Sequence, residues 1–69
     1  MKREQVSSSN IASIGHDENS ETLEIEFLNG SVYQYFDVPR KVFEELRDSS
    51  SVGGYLASNI KGIYRYSKV

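Results

Sequence analysis

The run Thr22-Leu23-Glu24-Ile25-Glu26-Phe27 alternates apolar and polar side chains without a break, and Asn29-Gly30 follows it. Successive side chains of a strand point to opposite faces, so Leu23, Ile25 and Phe27 share one face and Thr22, Glu24 and Glu26 the other. Asn and Gly both tolerate positive φ, which lets the chain reverse into Ser31-Val32-Tyr33-Gln34-Tyr35-Phe36. The pattern predicts a β-hairpin over residues 22–37 with one apolar face, and the rest of the chain has to cover that face.

The turn sets what the second strand buries. A two-residue turn puts Phe27 opposite Val32 and Leu23 opposite Phe36, leaving Tyr33 and Tyr35 outside beside Glu26 and Glu24. If Leu28 joins a three-residue bulged turn, Tyr33 meets Ile25 and Tyr35 meets Leu23, and both tyrosines turn toward the core, because a slip of one residue exchanges the faces. The sequence leaves both registers open.

Two helical segments supply the cover. Pro39 suits a first helical turn, and Val42, Phe43 and Leu46 fall on one face while Arg40, Lys41, Glu44, Glu45 and Arg47 stay wet, predicting a helix over 39–48. Ser49-Ser50-Ser51 offers an N-cap for a second helix over 51–60 carrying Tyr55, Leu56 and Ile60, with Gly62 as its left-handed C-cap residue. Upstream, Ile11-Ala12-Ser13-Ile14-Gly15 reads as a short strand and His16-Asp17-Glu18-Asn19-Ser20 as a polar turn. Ile63 to Val69 is a candidate last strand. Residues 1–7, with Val6 the one apolar side chain after Met1, are expected to form a flexible lead into a single domain over 8–69. The expected class is α+β: a small antiparallel sheet, the hairpin plus flanking short strands, packed against two short helices.

A chain of 69 residues buries only roughly 60% of the surface it exposes unfolded, so function is expected on a face more than in a deep pocket. With no cysteine, packing alone must hold the fold, and thiolate metal sites are excluded. No apolar run approaches the roughly 18–20 residues that cross a membrane, and the start is polar, so the chain is read as cytoplasmic and monomeric, with no membrane partner.

Charge is distributed unevenly. Residues 17–48 hold nine acids against Arg40, Lys41 and Arg47, whereas from Ser49 onward there are no acids and Lys61, Arg65 and Lys68 give +3. A general polyanion binder would be more basic, but this tail offers a local footing for one.

Catalytic chemistry finds little purchase. His16 is the one histidine; Asp17 and Glu18 beside it diverge in a turn, and a metal site wants three or four convergent ligands, so His16 is expected to be a surface or half-buried turn residue. None of the eleven serines sits in a nucleophile elbow. We expect no enzyme activity, no catalytic residue, no metal and no cofactor.

The ordered set Ser8-Ser9-Asn10-Ile11, the alternating strand, Asn29-Gly30, Tyr33-x-Tyr35, Val38-Pro39, Ser51-x-Gly53-x-Tyr55 and Ile60-Lys61 resembles the KTSC domain family, short bacterial domains found alone or at the C-terminus of some lysyl-tRNA synthetases. The resemblance runs from Ser8 onward, with Tyr33, Tyr35, Pro39, Gly53, Tyr55 and Ile60 as the motif positions. His16 stands where such domains often carry tyrosine, and Leu56-Ala57 where Phe-Asn is common. The resemblance implies an RNA-binding accessory role. The alternative is a protein-interaction module using a tyrosine-rich surface.

For RNA, the candidate residues are Lys61, Tyr64, Arg65, Tyr66 and Lys68, in which cations and aromatics interleave, together with the Gly53 and Gly54 backbone at a helix start. In an extended tail Tyr64, Tyr66 and Lys68 share one face and Ile63 and Arg65 the other; the competing reading is an edge strand kept soluble by its cations. Three phosphates met by Lys61, Arg65 and Lys68 give an expected log–log salt slope near roughly −2. Glu24 and Glu26 are expected to stay clear of the contact.

Overall fold

The computed structural model describes all 69 residues. Five strands form one antiparallel sheet in the order of the chain: β1 (Arg3–Gln5), β2 (Ile11–Asp17), β3 (Thr22–Phe27), β4 (Val32–Tyr35) and β5 (Tyr66–Lys68). Two helices, α1 (Arg40–Asp48) and α2 (Val52–Asn59), lie between β4 and β5 in sequence and cover one sheet face. The α+β architecture matches the expected class.

The hairpin adopts the bulged register. Leu23 pairs with Tyr35 and Ile25 with Tyr33, across a loop of Leu28, Asn29 and Gly30 closed by Phe27 N–H donating to Ser31 O at 2.8 Å. Gly30 holds φ at +92°, a conformation that costs glycine nothing. Leu28 N–H donates to Asn10 O at 2.9 Å, so the segment before β2 helps select the turn. Both tyrosines consequently stand on the helix-bearing face.

On that face Ile14, Leu23, Ile25 and Tyr35 meet Phe43 and Leu46 of α1 and Val52 and Leu56 of α2 in one buried cluster. At roughly 1.5–3 kcal/mol for each large apolar side chain withdrawn from water, this cluster is the main source of stability. The shift of register between Ile11 and Ser13 explains how Ile11 and Ile14, three residues apart, are both fully buried. Ser51 caps α2, its hydroxyl accepting from Gly54 N–H at 3.1 Å, and Gly62 at φ +80° turns the chain after that helix.

Three expectations are corrected. The first concerns residues 1–7: Arg3–Gln5 pair with Ser13–Gly15. They need no apolar face of their own because they serve the polar face of the sheet. The Arg3 guanidinium lies 3.4 Å from Glu24 and 3.8 Å from Glu26, and a Cβ on Gly15 would come within 2.8 Å of Arg3 Cγ.

The second concerns His16, which belongs to β2 and not to a turn: it pairs with Leu23 and is 8% exposed. Its ring stacks on Phe43 at 5.4 Å, and Nε2–H donates to Val38 O at 2.7 Å. That bond fixes the proton on Nε2 and leaves Nδ1 buried without a partner. The third is the last strand, which is confined to Tyr66–Lys68, because the chain is still turning from Ile60 to Tyr64, with Ile63 N–H and Tyr64 N–H both donating to Ile60 O.

Candidate functional site

Where α2 stops, Lys61 and Gly62 stand over the hairpin end of the helix-bearing face, and between them and the sheet is a cleft of about 580 Å³. Its walls are Phe27, Tyr33, Tyr35 and Tyr66. The sheet sets these positions: Tyr33 and Tyr35 alternate inward on β4, and Tyr66 is brought beside them as the register partner of Tyr35. Phe27 meets Tyr33 edge to face at 5.6 Å, while Tyr66 tilts against Tyr33 at 5.8 Å and Tyr35 at 5.7 Å. These are preferred aromatic separations, so the rings support one another.

The rim is polar and carries no acid: Asn29, Ser31 and Gly62 complete it together with Lys61, whose Nζ lies 5.7 Å from the Phe27 ring centre. Glu24 and Glu26 are on the other side of the sheet, Glu24 accepting from Gln34 Nε2 at 2.9 Å and Glu26 from Ser13 Oγ at 2.8 Å. Burial, and after it the neighbouring Tyr33 and Tyr66, push the Tyr35 phenol above its ordinary pKa, so Tyr35 keeps its proton and can donate a hydrogen bond.

The sequence-predicted residues divide among three places. Lys61 and Tyr66 line the cleft, and Lys68 stands across from Tyr33 on β5. Tyr64 leaves this group: it is half-buried against the core, because it lies in the turn and not in a strand that would align it with Tyr66. Arg65 reaches Asp37 at 2.9 Å and covers the Phe36 ring. Every arginine has a carboxylate within 4 Å, whereas Lys61 and Lys68 have none.

Gly53 and Gly54 are at a separate serine-rich depression lined by Ser7, Ser8, Ser50 and Ser51. There Gly54 N–H is already given to Ser51 Oγ, and Gly53 leaves room for Asn10 Oδ1, which a Cβ would approach to 2.8 Å. Tyr55 donates to Glu45 Oε1 at 2.8 Å, tying the two helices together, and this bond raises its pKa. Phe27, read in the sequence only as core, Gly62, read only as a cap residue, and the rim residues Asn29 and Ser31 are the cleft positions that sequence reasoning missed. No group of three or more His, Cys, Asp or Glu side chains converges as a metal site, and no helix is long and apolar enough to cross a membrane.

The sequence profile of the KTSC domain matches residues 7–66. The chain belongs to the KTSC domain family. A KTSC domain protein from Yersinia pestis, known from its crystal structure, superposes with a TM-score of 0.93 at 38% identity, covering 99% of this chain and 96% of that one. An uncharacterised protein from Stutzerimonas stutzeri is 36% identical over 100% of the chain and 99% of its own length. A lysine–tRNA ligase from Trichormus variabilis is 43% identical over 54 residues, 78% of this chain and 10% of that protein. The chain thus spans about a tenth of the length of the ligases it matches and nearly the whole length of the Stutzerimonas stutzeri protein.

Proposed function

We propose that this KTSC domain is a non-catalytic, cytoplasmic binding module of 8–69 that contacts RNA through the face holding the aromatic cleft. The observation that carries the reading is the pairing of charge with aromaticity: Lys61 and Lys68, without carboxylate partners, flank an acid-free group of tyrosines in which Tyr66 is 61% exposed. Stacking on an aromatic ring is worth about 1–3 kcal/mol per base and accepts any base, while lysines follow the phosphates. The lysine–tRNA ligase relatives support an RNA setting by association.

With Arg65 offset by Asp37, two cations remain for phosphate, so the expected log–log salt slope is about −1.4, shallower than the sequence alone suggests. Transfer RNA and a single-stranded oligonucleotide are titrated over a range of salt. Lys61→Ala with Lys68→Ala should bring the slope close to zero, and Tyr66→Ala should weaken binding at unchanged slope. Absence of binding at millimolar RNA overturns the proposal. A protein partner is the second reading, favoured by the exposed side chains of Ile63, Tyr66 and Val69; capture that survives ribonuclease and is lost on Ile63→Asp would support it.

A further inference from the structure

The cleft is more specific than a stacking surface. Tyr35 is 3% exposed and lines the cleft, yet no side-chain hydrogen bond within the protein engages its hydroxyl, nor those of Tyr33 and Tyr66 or the Lys61 ammonium. Only His16 Nδ1 is both fully buried and unpaired in this protein; the Tyr35 hydroxyl keeps a contact with solvent at the cleft and, with no side-chain partner, is open to a ligand's hydrogen bond. Tyr35 belongs to the lining of a cavity whose walls are flat rings and whose only charge is positive. An occupant that satisfies all of this is planar, offers hydrogen-bonding atoms on its edge and carries a negative charge close by. A volume of about 580 Å³ is within the range of sites that take one small ligand.

We propose that the cleft is a single-nucleotide subsite. One unstacked base enters with its face against Tyr66 and Tyr33 and its edge at the Tyr35 hydroxyl, and its phosphate meets Lys61. This deepens the RNA reading and rests on it. The cost of extruding a base is small in single strands and loops, where protein recognition of RNA concentrates. Because no acid lines the cleft, the phosphate approaches without repulsion. The geometry does not choose among the bases; the Tyr35 hydroxyl, which both donates and accepts, suits the edge of each.

The test uses the full chain with adenosine 5′-monophosphate and uridine 5′-monophosphate, and with ribose 5-phosphate as the probe lacking a base, followed by backbone amide shifts. Nucleotide at millimolar concentration should move Phe27, Tyr33, Tyr35, Lys61 and Tyr66, and ribose 5-phosphate should bind at least about fivefold more weakly, the loss of one stacked base. Tyr35→Phe, which keeps the ring and the fold, should weaken nucleotide binding several-fold while leaving ribose 5-phosphate unaffected. Equal binding of ribose 5-phosphate, shifts elsewhere, or no shift at all overturns the subsite. The oligonucleotide titration separates the two ideas: RNA bound with the cleft amides unmoved removes the subsite and keeps the RNA reading. No RNA bound removes the RNA reading, and a saturable cleft response to free nucleotides then shows that the subsite serves a small molecule.

Discussion

At Tyr35, ionisation and folding are coupled. Burial chiefly, and then Tyr33 and Tyr66, raise its pKa in the folded state. A folded protein that holds a proton more tightly than the unfolded chain loses stability as pH rises past the unfolded value, near 10 for tyrosine, and keeps that contribution in full below it. Urea midpoints should therefore fall on an alkaline limb above about pH 10, and Tyr35→Phe should flatten that limb; an unchanged limb would assign it to other tyrosines. His16 is a different kind of residue-scale case. Stacked on Phe43 and bonded to Val38 O, it should cost about 2–4 kcal/mol when replaced by alanine, a large share of the roughly 3–10 kcal/mol expected for the whole domain. His16→Phe, which retains the stack, should recover part of that loss in the same urea titration. The burial of His16 was legible in its parity with Ile14. What concealed it was the run of polar residues that follows, which resembles a turn one residue too early.

Among the elements, the hairpin and α2 each hinge on one local device. Ser51→Ala removes the cap on Gly54 N–H and should cost about 1 kcal/mol, with Ser51→Asp near neutral. Gly30→Ala meets no neighbour but forces a Cβ into positive φ, at about 1–2 kcal/mol; chemical denaturation reads both. Alternation, the Asn-Gly turn, Pro39 and the serine cap made four of the seven elements, β3, β4, α1 and α2, readable to within a residue or two. The register was not readable, because it depends on the reach of Leu28 N–H to Asn10 O, a contact between segments distant in sequence. Nor was β1, whose side chains serve a polar face and so leave no hydrophobic period. The cleft lay beyond the sequence for the same reason: Lys61 and Tyr66 stood out by chemistry, but Phe27 and Tyr33 join them only through the register and the end of α2.

Over the whole molecule, charge is sorted by face. Glu24, Glu26 and Arg3 occupy the outer side of the sheet, and the unpaired Lys61 and Lys68 are associated with the helix-bearing side. Asp37→Asn should release Arg65 from its ion pair and steepen the RNA salt slope from about −1.4 toward about −2; an unchanged slope would place Arg65 outside the contact. Neighbours in the sheet are also neighbours in the chain, and only β4 and β5 are separated by helices. The hairpins can close early from local contacts, whereas the pairing of Tyr35 with Tyr66 must wait until α1 and α2 have folded back, since loop closure precedes the reward of a distant contact. A three-residue edge that forms last is also the one that opens at least cost. The amides of residues 66–69 should exchange with solvent well ahead of those in β2 and β3, and since Tyr66 is one wall of the cleft, each such opening is a moment in which an occupant can enter or leave without the core unfolding.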